Sequence, residues 1–211
     1  MYNRIRNSTP ANFTMHPKRT KPPGIEPGYS NNSQNSGNLI KHFILSVSKN
    51  PTQSQLKTLS AIDMFLHSDK NCFLLKGYAG TGKTTLVNGL TQYLLTRKKH
   101  FRLMAPTGRA AKIIKEKTRW NAYTIHKSIY SMSNLNEYTV IEEDGSVTFK
   151  YFYGLRNNDD PSNTIYIVDE ASMVSNQYSE GEFIRFGSGF LLNDLFTYID
   201  LSNPGLSRKI I

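Results

Sequence analysis

The chain has 211 residues, a length typical of one domain or of one domain with a tail. Its aromatic content of 11% is too high for wholesale disorder, and no apolar run approaches the ~18 residues that a membrane-spanning helix needs. We therefore do not expect an integral membrane protein. The single cysteine, Cys72, excludes an internal disulfide framework and a multi-cysteine zinc site. The formal net charge of +10 favours a polyanionic partner.

The amino-terminal segment differs in composition from the rest. Residues 1–62 have a net charge of +7, against +3 for the remaining 149 residues. Residues 1–38 are rich in Asn, Ser and Pro and can neither form a long helix nor bury a core. We expect a disordered basic arm there, followed by one domain over residues 39–211. The arm has no apolar h-region, which argues against a secretory signal and favours a cytoplasmic protein. A mitochondrial transit peptide, which the prolines disfavour, and a wrongly chosen start codon are alternatives.

The rest of the chain alternates between helical and strand patterns. In chain order the predictions are a helix or strand over 39–47, a helix from Thr52, a buried strand over 72–75, a helix over 83–96, a strand over 101–105, a helix over 109–117, two strands over 138–142 and 147–153, a strand over 164–168 and a helix over 191–201. The two middle strands flank a four-residue turn, which predicts a β-hairpin. The alternation predicts an α/β domain with a three-layer parallel sheet.

Residues 77–84, Gly-Tyr-Ala-Gly-Thr-Gly-Lys-Thr, match the P-loop pattern G-x-x-x-x-G-K-[ST]. The glycines let the backbone curl so that its N–H groups face a phosphate, and the following helix adds the positive end of its dipole. The pattern predicts that Lys83 reaches the β- and γ-phosphates of ATP and that Thr84 binds Mg²⁺. A glycine-rich turn without function is the alternative. The predicted strand before the loop and helix after it favour the P-loop.

Residues 165–170, Ile-Tyr-Ile-Val-Asp-Glu, follow as a candidate Walker B segment. An apolar strand would bring Asp169 to the edge of the sheet that holds the P-loop, where its carboxylate can bind the magnesium shell. Glu170 can orient and deprotonate the water that attacks the phosphate. The alternative is an ordinary surface Asp-Glu pair.

Four blocks in this chain resemble those of the RecD-like and Dda-like helicases of superfamily 1B. They are residues 77–85, 105–111 (Ala-Pro-Thr-Gly-Arg-Ala-Ala), 124–126 (Thr-Ile-His) and 168–173 (Val-Asp-Glu-Ala-Ser-Met). Their order and spacing match the family, and the resemblance covers roughly residues 50–211. It implies a RecA-like P-loop NTPase fold, ATP and Mg²⁺ as cofactors, and ATP hydrolysis coupled to 5′-to-3′ movement along single-stranded DNA.

The resemblance also implies a single-stranded DNA track. Its residues would be Thr107, Gly108 and Arg109 in the second block, and His126 in the third. The residue types agree, because a strand-to-helix junction offers backbone N–H groups, a hydroxyl and a guanidinium to phosphates. A surface salt bridge is the alternative for Arg109, and a purely structural role is the alternative for His126.

For the nucleotide, the resemblance implies a set of contact residues around the P-loop. The set is Gln55, Gly77, Gly80, Thr81, Gly82, Lys83, Thr84 and Thr85. Gln55 occupies the position of the Q-motif glutamine, whose amide offers a donor and an acceptor to the adenine edge. However, Thr52-x-x-Gln55 also matches a helix capping box, a purely structural device. Both interpretations remain open from the sequence.

The predicted hairpin lies where superfamily 1B helicases often insert a pin, a wedge that splits the duplex. Its aromatic side chains could stack on bases or form ordinary cross-strand pairs. They are Tyr138, Phe149, Tyr151 and Tyr153.

The last stretch of the chain bears on activity. Only 38 residues follow Met173, without the G-D-x-x-Q-L block that the resemblance places next. We expect a piece of a longer helicase that lacks the second RecA-like domain and does not unwind DNA alone, with an open sheet edge and uncovered apolar side chains at Tyr198, Ile199, Ile210 and Ile211. Alternatives are a non-catalytic nucleotide- or DNA-binding remnant, or another P-loop enzyme such as a small-molecule kinase. For a kinase, we find neither an acceptor pocket nor an arginine-bearing lid.

Overall fold

The computed structural model describes residues 38–47 and 50–211, which belong to one compact unit. The predicted basic arm lies outside the described residues, except for Asn38 at its end. Over these two ranges, no helix is both long enough and apolar enough to cross a membrane.

Six α-helices occur in the described residues: α1 Asn38–Val47, α2 Gln53–His67, α3 Lys83–Thr96, α4 Gly108–Thr118, α5 Ile125–Ile129 and α6 Leu191–Ile199. Seven strands accompany them: β1 Phe101–Ala105, β2 Ala122–Thr124, β3 Tyr130–Ile141, β4 Val147–Leu155, β5 Ile165–Val168, β6 Ile184–Phe186 and β7 Lys209–Ile210. The predictions for α3 and β1 are correct to the residue. The ambiguous segment 39–47 is a helix, and α6 ends two residues before the predicted end because Asp200 adopts a left-handed conformation.

The main sheet is parallel and has the strand order β2-β1-β5-β7. The strand predicted over 72–75 is present only as a single parallel bridge between Cys72 and Ile210, where the Phe73 N–H donates to the Ile210 carbonyl at 2.9 Å. Its neighbour β7 has only two residues, so the segment finds few pairing partners. The bridge still puts residue 72 next to β7, on the side away from β5.

Helices cover both faces of this sheet. On one face, Leu103 and Ile167 pack with buried side chains of α1 to α4, including Leu90. On the other face, Met104 and Tyr166 pack with apolar side chains of α5 and α6. Alternating residues of β1 and β5 thus face two separate clusters. The predicted three-layer α/β architecture with a parallel sheet is confirmed.

The predicted hairpin is also confirmed, and it is longer than the pattern indicated. Strands β3 and β4 pair antiparallel, and β6 adds a third strand parallel to β4. At the turn, Asp144 Oδ1 accepts the Ser146 N–H at 2.9 Å, and Gly145 has a φ of 83°. This left-handed conformation is the one that glycine adopts without strain.

The expectation of uncovered apolar surface near the end of the sequence is wrong for two of the four side chains. Ile199 and Ile210 are buried, with relative exposures of 0% and 6%. Both belong to the cluster around Met104, and the half-buried Tyr198 packs against it. For Ile210 the cause is β7, which pairs with β5 and makes Ile210 part of the main sheet, while Ile199 is buried on α6.

Asp160 anchors the loop that leads into β5. Its carboxylate accepts hydrogen bonds from Arg102 Nε at 2.9 and 3.1 Å and from the Tyr166 hydroxyl at 3.0 Å. Arg208 Nη2 donates to the backbone carbonyl of Asp160 at 2.7 Å. Burial would raise the pKa of Asp160, but the hydrogen bonds from Arg102 and the nearby positive charges outweigh it and hold that pKa below its ordinary value.

We expect Asp160→Asn to lower the free energy of unfolding by about 1–3 kcal/mol at neutral pH, because it removes charge-assisted hydrogen bonds from a buried acceptor. A carboxyl group whose pKa is lower in the folded state stabilises the fold when the pH is above its unfolded pKa of about 4. This stabilisation is lost as the pH falls through the pKa of the folded state. The deficit of the variant should therefore shrink in acid. Urea unfolding at several pH values measures it, with the exposed neighbour substitution Asp159→Asn as control. Equal stabilities of the two variants at neutral pH would contradict the prediction.

Candidate nucleotide site

The P-loop needs glycine at defined positions. Gly80 and Gly82 have φ values of 80° and 84°, in the left-handed region that other residues avoid. A Cβ atom on Gly82 would lie 2.5 Å from Gln55 Nε2, and one on Gly77 would lie 2.9 Å from Thr81 Oγ1. The loop is therefore shaped by conformation at two glycines and by close approach at Gly77 and Gly82.

Lys83, the first residue of α3, reaches back over the loop. Its Nζ donates to the carbonyls of Gly77 at 2.7 Å and Tyr78 at 3.0 Å, and Thr81 Oγ1 donates to the same Tyr78 carbonyl at 2.8 Å. Thr84 follows in the first turn, at the end of the helix where the dipole is positive. The ammonium group and the helix N-terminus thus meet at the loop, an arrangement that suits a phosphate group.

Asp169 and Glu170 directly follow β5. The Asp169 N–H donates to the Met104 carbonyl at 3.0 Å, and Asp169 Oδ1 accepts the Glu170 N–H at 3.1 Å. Glu170 has φ 55° and ψ 37°, a left-handed conformation that costs a residue with a Cβ about 1–2 kcal/mol. Its side chain is exposed. Strain of this kind persists where the surrounding structure holds it, and it is frequent at functional sites.

The sheet brings these two segments to the same edge. Strand β7 pairs with β5 on one side and bridges to Cys72 on the other, always in parallel. Since parallel strands end at a common edge, the P-loop after residue 72 and Asp169 after β5 lie at one side of the sheet. This is the edge at which open α/β sheets bind ligands.

Gln55 contacts both α2 and the P-loop. The capping box is present: Gln55 N–H donates to Thr52 Oγ1 at 3.2 Å, and Thr52 N–H donates to Gln55 Oε1 at 3.0 Å. In addition, Gln55 Nε2 donates to the Thr81 carbonyl at 3.4 Å. The structural interpretation is confirmed. The adenine contact stays a prediction, and each amide atom keeps capacity for one more hydrogen bond.

The residues predicted to contact DNA lie on two helices, α4 and α5. Thr107 caps α4 by accepting the Ala110 N–H at 3.2 Å, while Gly108 and Arg109 are exposed in the first turn. His126 is half-buried in α5. Its ring packs edge-on against Phe186, with 5.0 Å between the ring centroids, and burial lowers its pKa. The structural alternative accounts for these contacts of His126, and its DNA role stays a prediction.

The residues present fit a nucleotide with magnesium. Among residues 38–47 and 50–211 there is no group of three or more His, Cys, Asp or Glu side chains that could hold a metal ion alone. Mg²⁺ does not require one, since it is usually bound through one or two protein oxygens together with substrate phosphates and water. Thr84 and Asp169 would supply those oxygens, and Lys83 and the loop N–H groups would hold the phosphates.

Two contacts at the site were not predicted. Lys83 donates to carbonyls of its own loop, and Gln55 joins Thr81 across 26 residues. The Gln55 contact depends on how α2 packs beside the loop, and no local pattern in the sequence reports that packing. The proximity of the Q-motif position to the loop was implied only by the family resemblance.

The parallel sheet lies between two layers of helices, and the P-loop and the candidate Walker B carboxylates lie at one edge of it. This arrangement defines a nucleotide-binding P-loop ATPase. A family model described as an AAA domain matches residues 52–181, and the chain belongs to this family. The matched range contains all four motif blocks. No curated protein matches the chain.

Proposed function

We propose that this chain is the ATP-binding motor domain of a 5′-to-3′ DNA helicase of the RecD-like and Dda-like group. The observation that supports this best is the position of residues 107–109. They follow β1, which is the parallel neighbour of β5, and the Asp169 N–H donates to Met104 of β1 at 3.0 Å. The N-terminus of α4, with the exposed Arg109 in its first turn, therefore lies at the end of the strand next to the one that ends at the candidate Walker B carboxylates.

The chemistry of the proposed motor follows from these side chains. When both are bound, ATP would supply the phosphoryl group and Mg²⁺ would neutralise part of the charge on its phosphates. Lys83 binds the phosphates, Thr84 and Asp169 bind the magnesium shell, and Glu170 accepts a proton from the attacking water. The P-loop is exposed at residues 76–81. The resemblance to this group of helicases implies a second RecA-like domain that would cover it and contribute an arginine to the transition state.

The β3–β4 hairpin supports the proposed pin in part. Tyr138 donates its hydroxyl to Glu180, and Tyr153 stacks on Phe186 with 5.4 Å between ring centroids, so these two have packing roles. Near the tip, Ile141 and Phe149 are 68% and 54% exposed. Exposed apolar groups near the end of a hairpin suit contact with unstacked bases.

The proposed function is tested by ATP hydrolysis with and without single-stranded DNA. A rate that depends on Mg²⁺ and rises with DNA supports a helicase motor. If the chain binds ATP but hydrolysis does not respond to single-stranded DNA, the motor assignment fails, and the alternative of a nucleotide-binding remnant takes its place.

Arg109→Ala tests the DNA track directly. Removal of a side chain that binds a phosphate should reduce the slope of log affinity against log salt, by about one unit for this variant. Fluorescence anisotropy of a labelled single strand at several salt concentrations measures the slope. Lys57→Ala on α2 removes an equal, exposed charge and should leave the slope unchanged. An unchanged slope for Arg109→Ala would count against the DNA role of residues 107–109.

A further inference from the structure

Positive charge is concentrated in one stretch of the folded domain. Residues 97–127 contain ten Lys and Arg residues and one acid, Glu116, which gives a net charge of +9. Residues 128–211 have a net charge of −7. All ten basic side chains of the stretch are exposed: Arg97, Lys98, Lys99, Arg102, Arg109, Lys112, Lys115, Lys117, Arg119 and Lys127. The small net charge of the domain conceals this separation.

An open groove of about 690 Å³ adjoins this stretch. It runs along β1 and β2, and β2 is the outer strand of the main sheet. We call it the edge groove and define it by six of its side chains: His100, Arg102, Trp120, Tyr123, Lys127 and Arg156. Neither the P-loop nor Asp169 and Glu170 line it, so it is separate from the nucleotide site.

Two aromatic side chains of the edge groove are accessible. Trp120 is 43% exposed and packs on Phe101, with 5.4 Å between the ring centroids. Tyr123 is 40% exposed, and the Lys127 ammonium lies 5.0 Å from the centre of its ring. Exposed aromatic faces next to basic side chains are the combination that binds single strands, because bases stack on the rings while cations contact the phosphates.

The edge groove is also distinct from the predicted DNA track. Helix α4 has Arg109 in its first turn and ends at Thr118, just before Arg119 and Trp120. With a rise of 1.5 Å per residue, the helix separates its two ends by about 15 Å. Arg119 and Trp120 therefore lie at the opposite end of α4 from Arg109.

We propose that the edge groove binds unpaired bases of a single-stranded nucleic acid, whose phosphates contact Lys127 and Arg156 in the groove and the basic side chains of Lys117 and Arg119 next to Trp120. Charge complementarity favours a polyanion. Two acids, Asp159 and Asp160, also line the groove. Asp160 is paired with Arg102 in a salt bridge, and Lys127 and Arg156 outnumber the remaining charge of Asp159. A duplex is disfavoured since its bases are already stacked and present no free face to Trp120 or Tyr123. This contact needs no nucleotide and does not depend on the proposed helicase activity.

Trp120 provides a direct probe, because it is the single tryptophan of the chain. The full chain is titrated with a thymidine oligonucleotide of about 16 nucleotides at low salt without ATP, and its tryptophan emission is followed. We expect saturable quenching as a base stacks on the indole. The same oligonucleotide annealed into a duplex should produce little quenching. Binding of the single strand without a change in emission, or equal quenching by the duplex, would overturn the proposal.

Matched variants separate a specific surface from general charge. Lys117→Glu with Arg119→Glu should weaken the quenching titration strongly, while Lys57→Glu with Lys70→Glu, which changes the net charge equally at exposed sites elsewhere, should have a smaller effect. Tyr123→Ala should raise the dissociation constant by about 5-fold or more, with circular dichroism to confirm folding. Equal losses in the two charge variants would overturn the proposal. The quenching is measured without ATP and does not depend on the hydrolysis test, so a failed helicase assignment and a failed groove are distinguishable.

Discussion

Lys83→Ala should abolish measurable ATP binding. Its Nζ donates to two loop carbonyls in the structure, at 2.7 and 3.0 Å, so it is already held within the loop that would receive the phosphates. Charge-assisted hydrogen bonds contribute about 1.5–3 kcal/mol each. The loss of two such bonds from Lys83 to the phosphates of ATP should therefore weaken ATP binding by roughly 100-fold or more. Calorimetric titration with ATP and Mg²⁺ measures the change.

The control for this variant is Lys76→Ala. Lys76 is exposed and directly precedes the P-loop, so the variant removes the same charge from nearly the same place. It should retain most of the affinity if the Lys83 effect is a specific phosphate contact. ATP affinity that survives Lys83→Ala would show that the site is misassigned.

Much of the fold could be predicted because its main elements are specified by local patterns. The spacing of Leu86, Leu90 and Leu94 defines the buried face of α3, and an apolar run bounded by Pro106 defines β1. Strands β2 and β6 have three residues each and were not predicted. Such short strands exist because a distant partner pairs with them, and no periodicity can appear in three residues.

The nucleotide site also has features that the sequence predicts and features that it does not. The loop glycines, Lys83 and Asp169 could be located from motif spacing, because local backbone geometry dictates it. The contact from Gln55 to the loop and the left-handed conformation of Glu170 could not, since tertiary packing produces both.

The net charge of residues 63–211 gave no sign of the basic stretch, for another reason. A sum over residues 63–211 cancels the basic stretch 97–127 against the acidic residues that follow it, whereas a window count reveals the stretch.

Glu170→Gln should separate binding from hydrolysis. The amide has the size and shape of the carboxylate but cannot accept the proton of the attacking water. A positioned general base contributes about 10²- to 10⁴-fold to a rate, so hydrolysis should fall by that factor while ATP affinity stays near that of the unmodified chain. This is the reverse of the pattern expected for Lys83→Ala. Glu182→Gln, another exposed glutamate near the matched range, serves as control and should hydrolyse ATP normally.

The backbone at Glu170 allows a second test. Asparagine tolerates the left-handed conformation better than glutamate does, so Glu170→Asn should relieve the strain at φ 55°. We expect it to unfold at a higher urea concentration, with a gain of about 0.5–1 kcal/mol in the free energy of unfolding, and to lose hydrolysis as Glu170→Gln does. Higher stability together with lost hydrolysis is the result expected if Glu170 is retained for catalysis at a cost in stability. If Glu170→Asn is stabilised and still hydrolyses ATP at the original rate, Glu170 is not the general base.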